Sequence, residues 1–238
     1  MFDTLSFAPV FIPCLVIAIV VHEVAHGVAA KALGDPTASE RGRLTLNPIR
    51  HVDPLGTLIV PGGLLLLGAP AFGWAKPVPV NKWRLSNPRF GMMAVAAAGP
   101  ASNFVLAFLG AIILGAFGTL GAGWAESEAG FPMLIAPDGV ALPIETGLYF
   151  FILINVFLGL FNLLPLPPFD GSHLVGGLLP DSLRSRWERL QRYGLLFILG
   201  VIAFSWIFGT GWLEVTVLPL VAKVMSFYEG LANAVALA

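Results

Sequence analysis

Residues 7–33 read FAPVFIPCLVIAIVVHEVAHGVAAKAL, and this run decides the class of fold. It is longer than the about 20 apolar residues that a helix needs to cross a bilayer. Yet it carries His22-Glu23-Val24-Ala25-His26. At 3.6 residues per turn the two histidines are i and i+4, so both imidazoles leave one face of the helix and can bind one metal ion, with Glu23 beside it as a base. No charge precedes them in residues 7–21. A carboxylate in such a setting costs about 2.5–3.5 kcal/mol on insertion scales, and ionisable groups at that depth are functional by default. A divalent cation would offset the cost by engaging the imidazoles and favouring an ionised Glu23 nearby. The plain alternative is a chance match, or two histidines and a glutamate bonded within a helix bundle.

Composition extends the same reading to the whole chain. Of 238 residues, 57% are hydrophobic and only 11% charged, against about 25% charged in a soluble domain; mean hydropathy is +0.84. These values predict an all-α integral membrane protein, a polytopic bundle of four to six transmembrane segments. A single integral-membrane domain over residues 1–238 is expected, with C-terminal helices at 190–235. The net charge of −1 gives no indication of nucleic acid, which is not expected as a partner. Cys14 is the only cysteine, so no intrachain disulfide forms. The N-terminus lacks the basic region of a secretory signal, and cleavage of the first span is not expected.

Apolar runs at 7–33, 90–121, 144–164 and 193–210 are long enough to span; 55–72 and 213–235 are interrupted. The basic residues then set the topology, because short loops rich in Lys and Arg stay in the cytoplasm. Twelve of the thirteen fall in three clusters: Lys31 to Arg50, Lys76 to Arg89 and Arg184 to Arg192. They share one side only if residues 55–72 dip into the membrane and return. A re-entrant or short β-hairpin region is therefore expected on the cytoplasmic side, along with a cell-membrane location and an active site towards the cytoplasm. Such backbone is tolerated at membrane depth only when it packs in protein or lines a wet cavity.

A catalytic zinc takes three protein ligands and keeps one position open. After the span 144–164 comes NLLPLPPFDGSH, residues 162–173. Its prolines stop the helix and predict an extended arm, and Gly171 permits a tight turn after Asp170. Asp170 is a candidate third ligand, with an ordinary surface turn as the alternative and His173 as rival. His51 is read as a loop-fixing group hydrogen-bonded to Asp53. Asn103 follows the small residues Ala96 to Gly99 inside a span; packing of those small residues against another helix is one reading, and a polar contact of Asn103 near the site and its substrate is the other. The alternation in KPVPVN, residues 76–81, marks Val78 and Val80 as candidates for strand pairing with an extended substrate.

Taken together, HEVAH (22–26), NPIRHVDPLGT (47–57), GWAKPVPVN (73–81), AAGPASN (97–103) and NLLPLPPFDG (162–171) resemble the site-2 proteases, intramembrane zinc metalloproteases. The resemblance covers residues 8–175 in the family's order, and so implies a catalytic core at 8–175. It implies His22, His26 and Asp170 as ligands of one zinc ion and Glu23 as the base that activates the zinc-bound water. It also implies Asn162 as a polar group near the substrate carbonyl or its oxyanion. Phe169 departs from the family's usual leucine, an apolar exchange, and no stretch resembles an appended PDZ or CBS domain. The expected substrate is a membrane protein with a transmembrane segment, cut within the lipid bilayer. The alternative is a non-catalytic zinc transporter or sensor using the same three ligands, for which Glu23 would be redundant.

Overall fold

The computed structural model describes residues 8–66, 73–118, 121–126 and 132–238. Among these, the long elements are α1 (Ala8–Ala32), α4 (Pro88–Ala116), α5 (Pro143–Asn162) and α10 (Leu218–Ala236). Shorter helices are α2 (Thr37–Glu40), α3 (Val60–Leu66), α6 (Gly171–Leu178), α7 (Asp181–Gln191), α8 (Gly194–Phe208) and α9 (Trp212–Thr216). Helices α1, α4 and α5 are each long and apolar enough to cross a membrane; α7 and α8, bent by 63° at their junction, pass the same test as a pair. The protein is thus an all-α polytopic membrane protein with three such spans among the described residues, or four with the bent pair. The weak C-terminal run is α9 and α10, and α10 falls short because Lys223, Glu229 and Asn233 interrupt it. Leu196, Phe204, Ile207 and Phe208 on α8 are each more than half exposed, a surface suited to lipid.

The chain forms two compact units. One comprises residues up to Ala18, Asn103–Leu158 and Pro219–Ala238. Its helices are cross-linked by buried amides: Asn103 Nδ2 donates to the Ala18 carbonyl at 3.3 Å and to Asn155 Oδ1 at 2.9 Å, and Asn155 donates to the Phe151 carbonyl. Within an apolar bundle each polar group needs such a partner. Tyr149 donates to Glu229 at 2.8 Å, which gives the α10 carboxyl its partner. The two-stranded sheet lies in this unit as β1 (Gly123–Glu126) antiparallel to β2 (Pro132–Ile135), with Trp124 opposite Leu134.

The other unit comprises Ile19–Ser102 and Gly159–Leu218. Here the stretch expected to return as a hairpin leaves through a π-helical turn at Pro54–Ile59 and continues as α3. Residues 67–72 lie outside the described part. The two feet of the excursion are tied together: Trp74 N–H donates to Gly56 O at 3.1 Å, and Lys76 N–H to His51 O at 2.9 Å. Residues 73–81 form no strand, so the strand edge expected from KPVPVN is not present there. Pro77 and Pro79 have no N–H to offer. The amides of Lys76, Val78 and Asn81 are already bonded to His51, Glu23 and Asp35.

Asp35, fully buried just past α1, is the latch that holds this arm. Its carboxylate accepts from Thr37 N–H at 3.1 Å, from the Thr37 hydroxyl and from Asn81 N–H at 2.6 Å. Burial alone would raise its pKa, but these bonds and the nearby Arg84 guanidinium hold it below the ordinary carboxylate value. A depressed native pKa stabilises fully above the unfolded value and loses that effect as pH falls through the native one. Asp35→Ala is expected to cost about 2 kcal/mol at neutral pH, the scale of lost charge-assisted hydrogen bonds. The deficit should shrink below about pH 4. Unfolding in detergent at a series of pH values reads this directly, and a deficit independent of pH would contradict the latch.

Candidate metal centre

Three donor atoms converge between α1 and the turn before α6. His22 Nε2 and His26 Nε2 stand 3.0 Å apart, and Asp170 Oδ2 is 3.1 Å from the first and 3.2 Å from the second. Both imidazoles are buried, with rings edge to face at 4.6 Å between centroids. The helix accounts for the histidine pair, since i and i+4 share a face. The carboxylate arrives through the proline-rich turn. That turn is not an extended arm: Phe169 N–H bonds back to Leu166 O at 3.0 Å, and the Phe169 ring packs on Phe161 at 4.4 Å. Gly171 is already helical, and its role is close approach, because a Cβ there would meet the carbonyls of Leu163 and Leu164.

The donor set fits a tetrahedral cation. Bonds of about 2.0–2.1 Å put ligand atoms about 3.3 Å apart, close to the observed triangle. The tautomer agrees: His26 Nδ1 lies 2.7 Å from the Val95 carbonyl, so Nδ1 carries a proton and Nε2 is the nitrogen that can give its lone pair to a metal ion. Two imidazole nitrogens at 3.0 Å cannot face each other without a proton or cation between them. His22, His26 and Asp170 are also the group of potential metal ligands found among the described residues. Burial would raise the Asp170 pKa, but the hydrogen bonds and charge of His22 and His26 pull it down to about 2. It is a ready anionic ligand.

Glu23 follows His22 on the helix, and its Oε2 accepts the Val78 N–H at 2.7 Å. Val78 is buried, so its backbone serves the glutamate and not an added strand. Val80 packs against the buried Ala30, Leu85 and Val95. Asn162 is the last residue of α5 and is partly buried. Asn103, fully buried in the other unit, has its amide bonded to the Ala18 carbonyl and to Asn155 Oδ1. His51 does not bond Asp53. Its Nε2 donates to Thr45 O at 2.9 Å, while Asp53 caps the following turn through Leu55 and Gly56 N–H. His173 is not in the triangle; its Nδ1 lies 3.5 Å from Gln191 Nε2.

Sequence reasoning missed two contributors, the Val95 carbonyl and the Val78 amide, and read Gly99 only as a small residue for helix packing, where its missing side chain leaves room for both ligand imidazoles. Pro100 supplies the one available signal. A proline inside α4 deprives the Ala96 carbonyl of its N–H donor and loosens that turn, next to the carbonyl that accepts from His26.

Comparison with known proteins agrees with this geometry. A protein of Bacillus subtilis provisionally named zinc metalloprotease YwhC is 39% identical over 199 residues, 82% of this chain and 80% of its own length. A protein of Mycolicibacterium smegmatis provisionally named zinc metalloprotease Rip2 is 31% identical over 200 residues, 82% of this chain and 68% of its own. Rip2 of Mycobacterium tuberculosis H37Rv is 28% identical over 213 residues, 86% and 73% of the two chains. No solved structure matches. The profile of peptidase family M50 covers residues 10–205, from the helix that carries the histidine pair to past the turn that brings Asp170, and this chain belongs to that family, the site-2 proteases.

Proposed function

We propose that the protein is a zinc-dependent endopeptidase that cuts peptide bonds in or near the transmembrane segments of other membrane proteins. The observation that carries this reading is the triangle of His22, His26 and Asp170 beside a glutamate fixed by a backbone amide. A transport site needs the first three residues and has no use for the fourth.

His22, His26 and Asp170 would hold the ion. Bound zinc supplies Lewis acidity to the scissile carbonyl and lowers the pKa of a water molecule. Glu23 does the proton work. Its Oε2 is anchored to Val78, and Oε1, which accepts no hydrogen bond among the described residues, takes the proton of the attacking water and delivers it to the leaving amine. Asn162 is the candidate side-chain amide for the developing oxyanion. A peptide bond inside a helix is already hydrogen-bonded, so the substrate unwinds locally before attack. The basic loops around residues 31–50 and 76–89 favour an active site towards the cytoplasm.

The test is cleavage of a panel of single-span membrane proteins by the purified, reconstituted protein, before and after zinc is stripped by a chelator and then returned. Cleavage that disappears with the metal and comes back with it is the expected result. Zinc moving across sealed vesicles while every substrate stays intact would replace the protease with a transporter.

A further inference from the structure

A second concave site lies in the unit that carries the metal centre and does not include any of its residues. It is a cavity of about 640 Å³ whose lining includes Lys82, Arg89, His173, Arg184, Glu188 and Arg192. The size is that of a small-molecule site. Four cations face one another here, and two carboxylates, Glu188 and the adjacent Asp181, answer them.

Most of these charges are committed. Lys82 Nζ lies 3.3 Å from Glu188 Oε1, and Arg184 Nη1 lies 3.3 Å from Asp181 Oδ1. Arg89 is structural: it donates to Gly177 O at 2.7 Å and to Leu179 O at 2.9 Å, which pins the end of α6 to the start of α4. The Arg192 side chain makes no hydrogen bond or ion pair among the described residues. Two positive charges are left over, and a guanidinium fork is free at the edge of the cavity.

The rim identifies the kind of anion. Trp83, which lines the cavity, is 76% exposed; Phe90, Leu190 and Tyr193, each next in sequence to a lining residue, and Leu196, one helical turn beyond Arg192, are all more than half exposed. Arg192 stands where amphipathic α7 turns into apolar α8. Aromatic and apolar side chains around a cationic hollow are the pattern of the membrane interface. A free anion has no use for such a rim, whereas a lipid places its phosphate in the hollow and its acyl chains along α8. We propose that this cavity binds the phosphodiester headgroup of an anionic phospholipid, with Arg192 as the principal contact.

The test counts lipid retained by the purified full chain in neutral detergent, by native mass spectrometry, with phosphatidylglycerol or phosphatidylcholine supplied at equal mole fraction. Phosphatidylglycerol should be kept in preference. Arg192→Gln should weaken its retention about fivefold, the weight of one basic residue near an anionic lipid surface. Arg186→Gln removes the same charge from an exposed position on α7 that does not line the cavity, and should leave retention unchanged. Zinc content in each variant checks that the metal centre is intact. Equal retention of the two lipids, an inert Arg192→Gln, or equal losses in both variants would overturn the proposal. So would displacement of phosphatidylglycerol by millimolar inorganic phosphate or by a soluble acidic peptide, each of which would assign the cavity to a different ligand.

Discussion

Glu23→Gln is expected to keep zinc bound to the protein and to lower cleavage by about a thousandfold, within the range for losing a positioned general base. The substitution is nearly isosteric. A glutamine carbonyl oxygen can still accept the Val78 N–H that now bonds to Glu23 Oε2, so the side chain stays anchored. The ligand triangle of His22, His26 and Asp170 does not include it. What disappears is the second oxygen's ability to take a proton. A thousandfold loss corresponds to about 4 kcal/mol of transition-state stabilisation, and it should fall on kcat with KM little changed. Zinc analysis beside single-turnover cleavage separates the two roles. A variant that retains zinc and still cuts within tenfold of wild type would remove Glu23 from the proton path. Glu23→Ala is the less informative change, because it also leaves the Val78 amide without its acceptor.

The parts of this site legible in the sequence are those carried by side chains with distinctive chemistry. His22 and His26 sit at a helical spacing, and a carboxylate within an apolar span is too costly to be incidental. Asp170 was legible as a candidate because prolines and a glycine frame it, although the spacing left His173 as a rival until the structure placed that residue on the Gln191 side. What could not be read is carried by backbone or by empty space. The Val95 carbonyl and the Val78 amide have no side-chain signature, and Gly99 functions by having no side chain. The alternation in residues 76–81 suggested a free strand edge because a period-2 pattern carries no information about where the amides are already bonded. His51 and Asp53 are two residues apart in sequence, yet each bonds within a different loop. In the fold, the spans were legible from composition, whereas the short sheet of Gly123–Glu126 and Pro132–Ile135 lies in a loop without Lys or Arg where the expected topology had no role for it.

Gly99→Ala should empty the metal centre without touching a ligand. A Cβ at this position of α4 would lie 2.6 Å from His22 Nε2 and closer still to His26 Nε2 and Cε1. Both imidazoles would have to move. His26 has nowhere to go, because its Nδ1 is held by the Val95 carbonyl one turn back on the same helix, and releasing that bond frees the ring's tautomer as well as its position. The ligand triangle has edges of 3.0–3.2 Å, and a methyl group wedged against two of its three corners opens it. A fall in zinc affinity of about 100-fold or more follows, the upper range for disturbing the partners that orient metal ligands. Overpacking adds about 1–3 kcal/mol of destabilisation. Cleavage should fall with the metal and return in part at high zinc, which distinguishes this variant from Glu23→Gln. Gly200→Ala is the control. It lies in α8 with nothing near its Cβ position, so it should bind zinc normally and be no less stable. If Gly99→Ala bound zinc as tightly as wild type, the close contact between α4 and the two imidazoles would not exist in the working protein, and the tautomer assigned through Val95 would lose its support.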